Sequence, residues 1–110
     1  MSFKVRGNTI FLTRGDTFKA HLTICNPDGT LYTPSEGDTV RFALKENIDD
    51  PECLIYKDIP IDTMVLTLDP SDTKNMEYGN YIYDIQLTKA NGDVDTFITA
   101  SKLKLTYEVD

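Results

Sequence analysis

The chain has 110 residues, a net charge of −7, 40% hydrophobic residues and 26% charged ones. That is one domain's worth, able to bury roughly 65% of the surface its unfolded chain exposes, and its composition is not that of a disordered chain. No apolar run approaches the ~18 residues of a membrane span. The 11 lysines and arginines are dispersed along the sequence, so binding to a nucleic acid or an anionic membrane is not expected.

The start, "MSFKVRGNTIFLTRGD", has charges at Lys4, Arg6 and Arg14 and no stretch apolar enough for a signal peptide. The expected place is a cytoplasm, or a virion assembled in one. "TIFLT" forms a first short strand. Next comes "TRGDTF", in which Arg14-Gly15-Asp16 spells a cell-adhesion ligand. Alternating segments flank it and leave Arg14-Gly15 to turn the chain. Gly15 is expected at positive φ, and the Asp16 carboxylate is expected to cap the turn. An adhesion ligand would need a mobile loop on a secreted protein.

"TFKAHLTICN" alternates, with Phe18, Ala20, Leu22 and Ile24 on one face and Lys19, His21 and Thr23 on the other, as a half-buried strand does. Asp28-Gly29 marks a hairpin. "TPSEGDT" is a loop, and "TVRFALKE" is a strand with Val40, Phe42 and Leu44 inward. "NIDDPE" is a loop broken by Pro51. "CLIYKDI" is apolar on both sides, Ile55 on one and Leu54 and Tyr56 on the other. Its place in the order suggests a sheet edge, which is a liability unless covered. Leu54, Ile55 and Tyr56 are therefore the expected subunit contact. "MVLTL" is a strand with Met64, Leu66 and Leu68 inward.

"LDPSDTKNMEYGNY" predicts one helical turn. Asp69 caps it, Pro70 takes the first helical position, Asp72 reaches back as a capping-box acid, and Gly79 ends the segment with positive φ. The strand "NYIYDIQLT" follows, with Tyr81, Tyr83, Ile85 and Leu87 inward. Immunoglobulin-like sandwiches have a tyrosine at this corner whose hydroxyl bonds back to the backbone, and Tyr81 suits that role. Tyr83 stands where antibody domains have cysteine, and the chain has no tryptophan. An Asn91-Gly92 hairpin leads to "DVDTFIT" and then to "KLKLTYEV", with Leu103, Leu105, Tyr107 and Val109 inward. Strands at this spacing predict an all-β immunoglobulin-like β-sandwich of seven to nine strands over residues 3–109, with a short helical turn before the penultimate strands.

No arrangement carries catalysis. His21 and Cys25 share a strand face but lie about 13 Å apart, and no motif ties a nucleophile to His21. Cys25 and Cys53, without a CxxC spacing, read as free structural thiols. Neither "ENIDDPE" (Glu46, Asp49, Asp50, Glu52) nor "DPSD" (Asp69, Asp72) matches a calcium loop. No cofactor or metal is expected, and the chain is not expected to be an enzyme. Tyr32, Tyr56 and Tyr78 are candidates for exposure, as a carbohydrate platform or a subunit interface if they converge.

The ordered series of "RGDTF" before an alternating strand, a "DG" hairpin, "GDTVRFALK", "DPSDT", "YGNYIYDIQLT" and a closing strand near "TYEV" resembles small phage structural proteins. It is similar in particular to the N-terminal, immunoglobulin-like module of the phage baseplate upper protein family, over about residues 8–109. The resemblance implies a non-catalytic component of a phage or prophage particle, in its baseplate, tail or an accessory position. Such a component acts through contacts with other phage structural proteins; the subunit contact expected at Leu54, Ile55 and Tyr56 adds the expectation of a homo-oligomer. In that family a longer coiled or receptor-binding region follows the module, and a chain ending at Asp110 points instead to a stand-alone accessory or decoration subunit. Two other readings are a carbohydrate- or surface-binding module and a small intracellular inhibitor of a host protein.

Overall fold

The computed structural model describes residues 3–6, 8–26 and 28–106. Alternation in sequence becomes two facing layers. β1 (Phe3–Arg6), β2 (Thr9–Thr13), β6 (Thr39–Lys45), β7 (Ile55–Ile59), β9 (Gly79–Thr88) and β10 (Val94–Thr106) form one sheet in the order β1-β2-β10-β9-β6-β7. Opposite it, β3 (Phe18–His21) pairs with β8 (Val65–Leu68), and β4 (Ile24–Cys25) pairs with β5 (Leu31–Tyr32). The fold is an all-β, immunoglobulin-like sandwich.

The core lies between the layers. The larger sheet contributes Ile10, Leu12, Val40, Phe42, Leu44, Ile55, Ile59, Tyr81, Tyr83, Ile85, Leu87, Leu103 and Leu105. Phe18, Ile24, Met64, Leu66 and Leu68 come from the other side. All of the inward residues expected on these strands are buried or half-buried; Tyr107 and Val109 lie outside the described residues. The position of an antibody cysteine is filled by the Tyr83 ring, whose centroid is 5.4 Å from that of Phe42. The Tyr83 hydroxyl donates to the Asn8 carbonyl just before β2.

Strand division departs from expectation in three places. "DVDTFIT" and the closing segment are one strand, β10, because neither Gly nor Pro separates them. Two register shifts against β9, between Thr96 and Ile98 and between Ile98 and Ser101, take up the irregularity. Conversely, the segment from Phe18 to Cys25 splits where its partner changes from β8 to β5. Met64, at φ +52, ends the pairing on the β8 side, and Leu22 N–H donates to its carbonyl at 2.8 Å. The short β4 and β5, together with β1, bring the strands among the described residues to ten rather than seven to nine. β2 and β10 run parallel, Ile10 opposite Leu103 and Leu12 opposite Leu105. No hairpin can make such a pair, so the whole domain serves as the crossover.

Between β8 and β9, α1 (Pro70–Thr73) is a single helical turn. Asp69 N–H donates to the Asp72 carboxylate at 2.7 Å, the reach-back expected of a capping box. Gly79 has φ +142. The buried Tyr81 hydroxyl donates to the Glu77 carbonyl at 2.6 Å, so the tyrosine corner forms.

Candidate interaction face

The even-spaced residues that do not enter the core make a second surface, the outer face of the six-stranded sheet. Its rows follow from register. Tyr56 stands opposite Ala43, which stands opposite Asp84; Asp58 stands opposite Arg41, which stands opposite Gln86. Lys45 and Lys102 flank Ile82 from either side, and Lys104 lies between Asn80 and Phe11. Four of the 11 cations that the sequence disperses, Arg41, Lys45, Lys102 and Lys104, share this face, with Asp58 and Asp84 among them.

The face is also apolar. Ile48 is 61% exposed, Tyr56 59% and Leu54 52%, while Phe11, Ala43 and Ile82 are half-buried. The 46–54 loop crosses the end of β6, and Ile48 joins Ala43, Lys45, Ile82, Asp84 and Ala100 around a concavity of about 160 Å³. Beside it, Cys53 and Tyr56 share a second hollow of about 200 Å³ with Arg41, Lys45 and Gln86. Tyr56 is held in place: the Arg41 guanidinium donates to its hydroxyl at 3.0 Å and to Asp58 at 2.9 Å.

The expected contact residues divide here. Tyr56 points out onto the face and Leu54, just before β7, is exposed, but Ile55 is only 7% exposed and belongs to the core opposite Leu44, so it cannot meet a partner. β7 is an edge strand, as expected. Its inward position opposite Phe42 is occupied by Lys57, whose ammonium sits 3.0 Å from Asp72 and 3.9 Å from Asp69. An inward-pointing charge is one of the devices that protect a sheet edge from pairing with another chain.

The Arg-Gly-Asp turn is docked rather than displayed. Gly15 has φ +83. Its N–H donates to the buried Thr73 hydroxyl at 3.0 Å, and Asp16 N–H donates to Thr13 O at 3.1 Å. The Asp16 carboxylate makes no hydrogen bond among the described residues, so the cap it was expected to supply comes from Thr73 of α1. Arg14 donates to Met76 O at 3.2 Å and lies 4.3 Å over the Tyr78 ring.

Two features carried no sequence signal. Asp38, buried in the loop read as "TPSEGDT", accepts from Ser35 N–H, the Tyr32 hydroxyl and Ala90 N–H at 3.0, 2.7 and 3.1 Å. Those donors, Ser35 first, hold its carboxyl below the usual range. Gly37 permits this approach, since a Cβ there would lie 2.8 Å from that of Ala90. Across the molecule, Leu22, Ile24, Leu31, Pro34, Ile61 and Met64 line an apolar groove of about 290 Å³.

The three candidate tyrosines do not converge: Tyr32 bonds Asp38, Tyr78 lies under Arg14, and Tyr56 alone is on the outer face. Both cysteines are free and exposed, so neither is a core thiol. Among the described residues no group of three or more His, Cys, Asp or Glu side chains could hold a metal ion, and no helix is long and apolar enough to cross a membrane. No protein-family model matches the chain, and no curated protein matches it with significance.

Proposed function

We propose that the chain is a non-catalytic structural subunit of a phage or prophage particle, in its baseplate, tail or an accessory position, and that it works by protein–protein contact. The observation that carries this reading is the outer face of the six-stranded sheet. Ile48 and Tyr56 stand exposed there among charged side chains, of which Arg41 and Asp58 are paired. Contiguous exposed apolar surface rimmed by polar groups is the mark of an interaction site in a protein that is otherwise well packed. The phage assignment rests on the ordered series of sequence segments described above.

Quantitative mass spectrometry of purified particles tests it. The chain is expected in a fixed copy number relative to the major structural proteins. Particles that lack it, from cells that express it, would remove the assignment.

A further inference from the structure

We infer that the free edge of the strand running from Phe18 through Cys25 pairs, antiparallel, with the same edge of a second copy of this chain. This goes beyond the proposed function, because it uses the other layer of the sandwich.

The edge follows from hydrogen-bond parity. Successive residues of a strand turn their backbone N–H and C=O groups to opposite sides, so residues an even number apart serve the same edge. Leu22 N–H donates to Met64 O at 2.8 Å on the β8 side, and Asn26 N–H donates to Thr30 O at 2.7 Å in the β4–β5 hairpin. Burial alternates without a break from Phe18 to Cys25, so no bulge shifts the parity on the way. β8 and β5 therefore share one edge of a single strand. The backbone groups of Lys19, His21, Thr23 and Cys25 face the other edge, where nothing among the described residues bonds them. The guard seen on β7 is missing here: Phe18, Ala20, Leu22 and Ile24 take the inward positions, Lys19 points to solvent, and no proline stands between 18 and 25. Facing six strands, this layer is only two strands wide at either level.

The residues of this strand fit their own copies. With Leu22 opposite the partner's Leu22, Lys19 pairs with the partner's Cys25 and His21 with the partner's Thr23, and about eight backbone hydrogen bonds form. A slide by one such pair would need either Thr17, outside β3, or Pro27, which has no N–H. On the inward side Ala20 meets the partner's Ile24, and the half-buried Leu22 meets its own copy, so the apolar row runs on across the two-fold axis. On the outward side no like charges stand opposite one another. Two chains of net charge −7 repel, and no Asp or Glu lies between Asp16 and Asp28, so the contact runs along an acid-free stretch. The outward row, Cys25 included, stays in water. The product is one four-stranded layer, β8-β3 joined to its copy.

The experiment combines sedimentation equilibrium with amide hydrogen exchange, read by nuclear magnetic resonance on the full chain. At high concentration the wild-type protein is expected at twice the mass of one chain. The amides of Lys19, His21, Thr23 and Cys25 should then exchange roughly tenfold or more slowly than in dilute protein, while those of Ala20, Leu22 and Ile24 are slow in both. Thr23→Pro removes an N–H that no bond within the chain uses, so circular dichroism should report an unchanged fold and sedimentation a monomer. A wild-type monomer at every concentration overturns the inference, as does a dimer in which the four amides stay fast or one that Thr23→Pro leaves intact. Protection of the four amides only after another particle protein is added would put a foreign strand at this edge and overturn the second copy as its occupant. If Thr23→Pro fails to fold, the exchange pattern of the wild-type chain decides alone.

Discussion

Ile55 and Tyr56 are adjacent in sequence and opposite in environment, and substitution should separate them. Ile55→Ala opens a cavity beside Leu44 and is expected to cost about 2–4 kcal/mol in urea unfolding. Tyr56→Ala, on the outer face, should stay within about 1 kcal/mol. Equal costs would mean that the two side chains do not lie on opposite sides of β7. One carboxyl, Asp38, and one hydroxyl, Tyr83, make stability depend on pH at opposite ends of the range. The native Asp38 carboxyl is held below its ordinary value of 3.8, so the unfolded state binds its proton more readily. The stability it contributes is complete well above pH 3.8 and falls as pH drops through the lower native value. Asp38→Asn should therefore flatten the acid limb of a melting-temperature profile, and parallel limbs would deny the contribution. Tyr83 works at the other end. Burial pushes its hydroxyl from 10.0 to about 12. Its contribution is complete below pH 10 and is lost as pH rises toward 12. A tyrosinate absorbance titration should show a late step that disappears in Tyr83→Phe.

At the scale of elements, α1 and the Arg-Gly-Asp turn are one unit joined by Thr73. Thr73→Val keeps the shape but leaves Gly15 N–H without its acceptor, so it is expected to lose about 1–3 kcal/mol, measured by chemical denaturation. Thr73→Ser should lose less, since it retains the hydroxyl. If Val and Ser behave alike, the bond is not what holds the turn. Strands β6 and β9 were legible because each has a single inward parity over its whole length. The helical turn and its corner were legible from Asp69, Pro70, Asp72, Gly79 and Tyr81, whose roles are local. What stayed hidden depends on partners distant in the chain. The break between β3 and β4 follows from the change of partner at Met64. The continuity of β10 depends on bulges that only β9 defines. The cap from Thr73 reaches across 58 positions to Gly15. For the candidate face, the opposite sides of Ile55 and Tyr56 could be read from alternation, and the edge position of β7 from its place among the strands along the chain. The gathering of Arg41, Lys45, Lys102 and Lys104 could not, because it is a property of strand order.

At the scale of the whole molecule, the outer face of the six-stranded sheet is the surface through which the protein is proposed to act, and the chain carries its own pair of reporters. Cys53 lines the hollow beside Tyr56, whereas Cys25 is exposed on β4, outside that sheet. The most direct measurement is the alkylation rate of each thiol, followed by mass spectrometry, in the dilute protein and in its concentrated or particle-bound form. Assembly through the outer face should slow Cys53 strongly and leave Cys25 unchanged. Equal rates for Cys53 in the two forms, or protection of Cys25 in its place, would contradict the assignment of this face.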